Sequence, residues 1–563
     1  KYHHTDFTTG GLMDRPTKRP SSHLMTELRH LDDSAGGTLF AIHGDMGAMD
    51  ADYYLLPTDT SGTVERSWQK MWNLSDRLSP TWPTDDAQLV QTSNGTFLVP
   101  CDVGGARSDN SVEEMVDRLD DALILLAAWI ATGNPDLVRW HEGTTEPSRT
   151  PRRARPLLAM PLIGTRAGGL GDERGYVIEA VVDKLHEFLD DYEDRPEAYD
   201  IVLVCHSASD YAAVQHVRRE RARVHPQPEW LARLVNYAQS GRLAVMFGAG
   251  ASAAAGAPLW SDLLTQLAER FEVPEATAQG LHDLDPTDAA TLIAERAGQV
   301  HGDRGPELFR EALNGLVGLD QPTLTHALLA NMQPAIAITT NYDQGYELAV
   351  EGMGAGEADV LPWSRRTTGD APLVLKLHGD VERGLIVLSR DDFVAMHAYR
   401  RPLAGVLQNH LLAGHVLIVG SSMSDATLVH AAEEVAGLLR QVGSDADGSV
   451  GAGEKSGTIL VGNPHPARQE ILSRSLSVVT ASDSKVNSAV AARRIDIVLD
   501  LINCLASSDR SFLLDRRYID LLPMDEHELV TELIELARRL DREQGWTDLQ
   551  EVVSAFLKSL GAR

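Results

Sequence analysis

Cysteine is scarce in this 563-residue sequence, which contains only Cys101, Cys205 and Cys504. Because these three lie far apart, we expect neither a disulfide framework nor a paired-cysteine zinc site, and we predict no metal. No run of about 18 apolar residues occurs, so we expect no transmembrane helix. No signal-peptide pattern precedes the first apolar segment, and together these absences predict a soluble, cytoplasmic protein.

Positive charge is also in short supply, with 51 Lys and Arg against 81 Asp and Glu, a formal net charge of −30. An acidic surface repels nucleic acid, so we expect no nucleic-acid partner. A local exception is Arg152, Arg153 and Arg155 in a proline-bearing polar segment, which we interpret as a solvated loop. The length exceeds one typical core, and a hydrophobic content of 43% is sufficient for two or three domains.

The first half of the chain carries the pattern of an α/β domain. Residues 1–37 are polar without a sustained period, and we predict a flexible leader there. Between residues 157 and 205, an apolar strand, a glycine loop, an amphipathic helix and a second apolar strand follow one another. This order is typical of a βαβ unit, so we predict a domain with a parallel sheet over residues 38–226.

Two motifs of this half resemble a macro domain. The turn Gly44-Asp45-Met46 resembles the start of that domain, and the loop 164–169 resembles the one that cradles the diphosphate of ADP-ribose. The resemblance implies an adenine contact at Asp45 and an ADP-ribose-like ligand. Many macro domains carry Asn-Ala-Ala-Asn where this chain has Leu56-Pro57-Thr58-Asp59, which favours binding over hydrolysis. The alternative is an α/β domain without a ligand, because glycine loops are common connectors.

The second half is organised around an apolar strand that enters a glycine turn at residues 243–252. Gly248 and Gly250 let the backbone turn tightly and approach a ligand, and the following helix start favours an anionic phosphate. The spacing differs from the usual dinucleotide fingerprint, because Ala253 stands where a third glycine is expected. A tight strand-to-helix connection without a ligand is the alternative.

Four later apolar segments also end in small or polar residues, which is where open parallel sheets bind ligands. The motifs GAGAS, TTNYD, KLHGD and VGSSMSD follow one another between residues 248 and 425. In this order they resemble the sirtuin-like domain of bacterial NAD-hydrolysing antiphage effectors, over about residues 241–505. The resemblance implies a Rossmann-like parallel sheet that binds NAD+, with a helical insertion as the other wall of the cleft. We assign the domain to residues 227–505.

The same resemblance implies a set of site residues. It places His378 and Asn341 in catalysis, with Asn341 beside the nicotinamide ribose. The implied NAD+ contacts are the pyrophosphate turn (Gly248, Ala249, Gly250, Ser252), Asp343 facing the carboxamide, and the adenosine side (Gly420, Ser421, Asn463). A histidine that titrates near neutrality can accept a proton from a ribose hydroxyl or from water. An asparagine amide can hold either group without adding charge. We interpret His326 as structural.

Two departures from the protein deacylases of this family favour water as the acceptor. Those enzymes hold zinc with four cysteines, which this chain lacks, and Ala257-Pro258-Leu259-Trp260 replaces their Asp-Phe-Arg continuation. We therefore predict an NAD+ hydrolase in antiphage defence that yields nicotinamide and ADP-ribose and is regulated by the macro-like domain. The alternatives are ADP-ribosyl transfer or deacylation on a protein, and a non-enzymatic module that senses NAD or ADP-ribose.

The end of the chain, residues 506–563, has two helical leucine-rich stripes. Either this segment packs on the catalytic domain, or it makes a contact in a homo-oligomer or with an adaptor. We further predict a flexible loop over residues 441–457.

Overall fold

We describe the protein from a computed structural model. The structure describes residues 36–76, 89–92, 95–105, 111–132, 153–165, 168–192, 195, 197–222, 227–364, 371–399, 401–421, 423, 426–445, 455–482, 484–542 and 547–562. The predicted leader lies outside these residues except for its last two positions. The centre of the predicted loop over 441–457 and Arg152 also lie outside them.

The first half of the described chain forms a six-stranded sheet. Its strands are β1 (Leu39–His43), β2 (Tyr53–Thr58), β3 (Val90–Gln91), β4 (Phe97–Asp102), β5 (Leu157–Pro161) and β6 (Asp200–Cys205). Their order is β1-β6-β5-β2-β4-β3, and β3 is the one antiparallel strand. The helices are α1 (Arg66–Trp72), α2 (Val112–Ala131), α3 (Arg174–Asp191) and α4 (Ala208–Ala222). The predicted α/β domain with a parallel sheet is confirmed.

The second half forms a seven-stranded, fully parallel sheet. Its strands are β7 (Leu243–Phe247), β8 (Ala337–Thr339), β9 (Asp359–Leu361), β10 (Leu373–Lys376), β11 (His415–Val419), β12 (Gly457–Val461) and β13 (Ser477–Thr480). Their order is β13-β12-β11-β7-β8-β10-β9, which confirms the predicted parallel sheet. The chain first builds outward from β7 through β8, and later returns to its other side with β11. This reversal creates a crevice at the carboxyl end of β7, where such sheets bind ligands.

Helices cover both faces of the second sheet, which is why its central strands are apolar without alternation. They are α5 (Glu229–Gln239), α6 (Trp260–Arg270), α7 (Glu275–Gly280), α8 (Pro286–His301), α9 (Gly305–Val317), α10 (Leu324–Asn331), α11 (Gly345–Gly352), α12 (Arg390–Tyr399), α13 (Arg401–Ala413), α14 (Ala426–Asp445), α15 (Pro466–Leu472) and α16 (Ser488–Ala506). Helices α6 to α9 stand between β7 and β8 in the chain and share a small core around Leu267, Ile293 and Leu313. They form the predicted helical insertion.

Helix α16 joins the two sheets. Arg493 donates to both carboxylate oxygens of Asp200 at 2.7 and 2.8 Å. About two turns further on, Asp500 accepts from Arg218 and, at 3.2 Å, from the backbone N–H of Ala41. The Arg218 and Asp500 side chains are fully buried. Because apolar residues of both sheets and of α16 also belong to one continuous core, the two halves are packed as a single unit.

A partly buried carboxyl at this junction makes stability depend on pH. Burial raises the pKa of Asp496 to about 7, against the opposing effect of a 2.6 Å hydrogen bond from Thr325. Between pH 4 and 7 the unfolded chain therefore loses a proton that the folded chain retains, so stability falls as the pH rises. We expect Asp496→Asn to remove this loss. At pH 8 the variant should exceed the wild type by on the order of 2 kcal/mol in unfolding free energy, after allowance for solvent screening.

Urea denaturation of both proteins at pH 4.5 and pH 8 tests this expectation. The difference between them should be near zero at the lower pH and large at the higher one. An equal difference at both pH values would show that Asp496 does not titrate in this range.

The C-terminal segment packs on the first domain, so the expectation that it packs on the catalytic domain is wrong. Its helices are α17 (His527–Arg542) and α18 (Asp548–Ser559). Phe512, Tyr518 and Val530 join the core formed by α2, α3 and the first sheet, and the Tyr518 hydroxyl donates to Asp210 at 2.8 Å. The segment packs there because α2 and α3 carry apolar faces that the rest of the first half does not cover. These faces are far from the segment in the sequence.

The interpretation of the arginine-rich segment as a solvated loop is also wrong at Arg153. Its side chain is 14% exposed and pairs with Asp50 and, at 3.2 Å, with Asp52. Arg155 donates to the carbonyl oxygen of Ala198 at 2.7 Å. Asp50 and Asp52, which precede β2, thus neutralise the charge of Arg153. The polar residues around Arg153 in the sequence had predicted an exposed side chain.

Candidate active site

A cavity of about 850 Å³ lies at the carboxyl edge of the second sheet, between the sheet and the helical insertion. All ten predicted site residues line it: Gly248, Ala249, Gly250, Ser252, Asn341, Asp343, His378, Gly420, Ser421 and Asn463. They come from the ends of five strands, and the reversal of strand order at β7 brings these ends together. Their roles remain predictions, but the structure places them around one space.

Three glycines allow the turns after β7 and β11 to pack backbone against backbone. A Cβ atom on Gly250 would lie 2.9 Å from the Cα atom of Gly420, and one on Gly248 would lie 2.9 Å from the carbonyl oxygen of Gly420. Gly420 has a φ of +61°, which favours glycine. The N–H groups of Gly250, Ala251 and Ser252 donate to carbonyl oxygens within these turns. The glycines therefore allow the two turns to pack closely, and these three N–H groups are already used within the turns.

Asn341 and Asp343 are fixed by a buried hydrogen-bond network. The Asn341 amide nitrogen donates to the carbonyl oxygen of Gly248 at 3.2 Å and to Ser252 Oγ at 2.9 Å. Ser252 in turn donates to Asp343 Oδ2 at 2.7 Å, and the N–H of Gly345 donates to Asp343 Oδ1 at 2.9 Å. Because both amide hydrogens of Asn341 are used in the fold, its carbonyl oxygen is the polar atom left for a ligand.

His378 follows β10 and is 4% exposed. Its ring packs edge-on against Phe393, with 5.2 Å between the ring centroids. The next residue, Gly379, has a φ of +95°, and a Cβ atom there would lie 2.2 Å from the carbonyl oxygen of Leu385. This tight turn holds the imidazole at the cavity wall.

Beneath that turn lies a charged cluster that the sequence reasoning missed. Lys376 is fully buried and contacts Asp380 at 2.6 Å, Glu347 at 2.9 Å and the carbonyl oxygen of Asp343. Burial acts to raise the pKa of Asp380, but the Lys376 ammonium and backbone N–H donors hold it below its usual range. Burial raises the pKa of Glu347, and Lys376 opposes the rise. The cluster ties the turn of Asp343 to the turn of His378.

Asn463 lines the cavity, but both polar atoms of its side-chain amide form hydrogen bonds with the backbone of Val486. Its oxygen accepts from the N–H of Val486 at 2.7 Å, and its nitrogen donates to the carbonyl oxygen of Val486 at 2.9 Å. This pair of bonds fixes the approach to α16, whose Ser488, Ala491 and Ile495 also line the cavity. The part of α16 in this wall was not predicted, because small and apolar residues carry no chemical signal in a sequence.

The opposite wall of the cavity comes from the helical insertion, as predicted. Leu264, Leu281 and Val317 line it, together with the more polar Glu269 and His282. Within the described residues there is no group of three or more His, Cys, Asp or Glu side chains that could hold a metal ion. The same residues include no helix that is long and apolar enough to cross a membrane.

The two motifs predicted for the macro-like domain follow β1 and β5, which are separated by β6 in the first sheet. Asp45 is exposed, and its carboxylate accepts from the N–H of Gly47 at the start of a short 3-10 turn. Gly164, at the start of the loop 164–169, has a φ of +77°, and a Cβ atom there would lie 2.3 Å from Met115 Sδ. Arg166 and Ala167 of this loop lie outside the described residues. The macro-like assignment stays a prediction.

Comparison with known proteins agrees with the geometry of the second sheet. The family described as SIR2-like domain matches residues 335–444, a stretch that contains Asn341, Asp343, His378, Gly420 and Ser421. This stretch, in the second half of the chain, is similar to a SIR2-like domain. The matched stretch is about a fifth of the chain, and the turn of Gly248 lies upstream of it.

Three curated proteins, each called NAD(+) hydrolase ThsA, are similar to this chain. The one from Acinetobacter baumannii (strain 532279) is 26% identical over 209 residues, which cover 36% of this chain and 41% of that protein. Those from Cytobacillus dafuensis and Enterococcus faecium are each 25% identical and cover 36% of this chain, with 39% and 42% of their own lengths. The chain thus spans about two fifths of the length of these relatives, and the similarity concerns a part of each protein.

Proposed function

We propose that this protein is an NAD+ hydrolase that cleaves NAD+ to nicotinamide and ADP-ribose at the SIR2-like domain. The observation that carries the proposal is that ten residues chosen from sequence motifs line one cavity at the strand-order reversal. The name of the three relatives supports the same activity. The pyrophosphate would lie against the glycine turn after β7, where the absence of side chains permits close approach.

The chemistry follows from the groups at the cavity. Breaking the bond between the nicotinamide nitrogen and the ribose carbon develops positive charge on that carbon, and the bond electrons leave with nicotinamide. Water adds to the carbon and must lose one proton, and we assign His378 as the group that accepts it. The Asn341 carbonyl oxygen accepts a hydrogen bond from the ribose or the water and holds it in position. The products are nicotinamide, ADP-ribose and one proton.

We propose that the enzyme acts as an NAD+-depleting effector in bacterial antiphage defence, in the cytoplasm. The first domain would regulate it as a macro-like module with an ADP-ribose-like ligand, and the core shared by both sheets gives such regulation a physical route. A homo-oligomer is supported by α18, where Leu549, Val552 and Phe556 are 72%, 66% and 61% exposed.

Incubation of the purified full chain with NAD+, followed by chromatography, tests the activity. We expect nicotinamide and ADP-ribose in equal amounts, without any protein acceptor. Transfer of ADP-ribose to a protein would instead appear as a mass increase on that protein. NAD+ that binds calorimetrically but stays intact, alone and with phage-infected cell extract, would contradict the proposal and favour a sensing module.

A further inference from the structure

Behind the cavity wall, the side chain of His326 is enclosed by closely packed neighbours. It lies on α10, is fully buried, and does not line the cavity itself. A Cβ atom on Gly345 would lie 2.3 Å from its ring, and the Phe247 ring packs edge-on against it at 5.7 Å between centroids. The ring therefore has one available orientation.

The hydrogen bonds of His326 define which nitrogen carries the proton. Nδ1 lies 3.3 Å from the backbone nitrogen of Thr323 and 3.1 Å from the Thr323 hydroxyl oxygen. Because a backbone N–H can only donate, we assign the acceptor role to Nδ1. Burial lowers the pKa of His326 and keeps the ring neutral, against the opposing effect of Asp343. The single ring proton is then on Nε2, which lies 3.4 Å from Ser252 Oγ and donates to it.

This donation saturates the hydroxyl of Ser252. The oxygen accepts from His326 and from the Asn341 amide nitrogen, and its one proton goes to Asp343. With both acceptor positions filled by donors, the Asn341 nitrogen stays on the Ser252 side and its oxygen stays toward the cavity. The Thr323 hydroxyl also donates to the carbonyl oxygen of Ala251 at 2.7 Å, which ties the start of α10 to the glycine turn.

We propose that His326 is a positioning residue for NAD+ cleavage: through Ser252 it fixes the orientation of the Asn341 amide. The inference rests on the proposed function and extends it to a residue that contacts no substrate. It differs from the interpretation of His326 as structural, because it predicts an effect on the reaction that is separable from stability.

Two substitutions of His326 test the hydrogen bonds of Nδ1 and Nε2 separately. In His326→Gln the amide nitrogen can reach the place of Nε2 and donate to Ser252. In His326→Asn the shorter side chain can accept from Thr323 at the place of Nδ1, but it cannot reach Ser252. We expect kcat to fall by less than about threefold in His326→Gln and by about 10- to 100-fold in His326→Asn, the range for a misplaced reacting group.

Leu329→Val is the matched control, because Leu329 is fully buried on the same helix and takes no part in the hydrogen-bond network. We expect it to lower the thermal midpoint while kcat per folded molecule stays at the wild-type value. Equal kcat losses in the Gln and Asn variants, or a loss in Leu329→Val that matches the Asn variant, would overturn the inference.

Calorimetric NAD+ affinity keeps this test distinct from that of the proposed function. If the wild type shows no turnover under any condition, the proposed function has failed. The variants are then compared by affinity, for which we expect His326→Asn to be the weakest binder by about tenfold. Equal affinity in the wild type and both variants would overturn the positioning role of His326.

Discussion

Replacing His378 with alanine is expected to lower the rate of NAD+ cleavage by about 10²- to 10⁴-fold, the usual contribution of a general acid or base. The imidazole is the titratable group that the turn after β10 holds at the cavity wall. This substitution leaves the glycine turns after β7 and β11 unchanged. NAD+ affinity should therefore change by only a few-fold. Steady-state kinetics and calorimetry on the same preparation measure the two effects.

His430→Ala supplies the control for this prediction. His430 lies on α14, is 71% exposed and pairs with Glu434. Its loss should leave turnover unchanged. Asn341→Ala should also lose turnover, because it removes both the amide oxygen that we propose faces the substrate and the bonds to Gly248 and Ser252. Turnover in His378→Ala within tenfold of the wild type would remove His378 from the mechanism.

The second large effect concerns the ion pair between Arg218 and Asp500. Both side chains are fully buried, so Arg218→Met leaves an unpaired carboxylate in the core between the two sheets. Removing one partner of such a pair costs about 3–5 kcal/mol of unfolding free energy. The double variant Arg218→Met with Asp500→Leu should be less destabilised than Arg218→Met alone, because no buried charge remains.

Chemical denaturation followed by circular dichroism measures these differences. Arg233→Met is the matched control, because Arg233 pairs with Glu229 at the surface and should change stability little. If Arg218→Met were as stable as the control, the junction would not depend on this pair. A double variant less stable than Arg218→Met would contradict the argument that the unpaired charge causes the loss.

The sequence predicted those features that depend on local patterns. Apolar strands followed by glycine, asparagine or histidine are local signals, and the parallel sheet converts their order along the chain into one shared edge. Gly248, Asn341 and His378 were found in this way and lie around one cavity. The resemblance to NAD-hydrolysing effectors added roles to residues that the pattern alone would leave as turn formers.

Features that depend on distant partners were missed. Lys376 stands in the same motif as His378, but a lysine is ordinarily exposed, and its burial depends on Asp380 together with Glu347 from another helix. Arg153 looked solvated because its acidic partners lie about 100 residues earlier. The resemblance implied an adenosine-side contact for Asn463, whereas its amide is hydrogen-bonded to the backbone of Val486. The contacts with Glu347, with Asp50 and Asp52, and with Val486 all join residues that are more than 20 positions apart in the chain.

The packing of Phe512, Tyr518 and Leu557 into the first domain has a consequence for synthesis on the ribosome. Translation proceeds from the N-terminus, so the strands and helices of the first domain emerge before the segment that covers α2 and α3. The second sheet is complete once residue 480 has been made, and α16 follows by residue 506. We therefore expect the second sheet to be completed before α2 and α3 are covered, although both helices precede it in the chain.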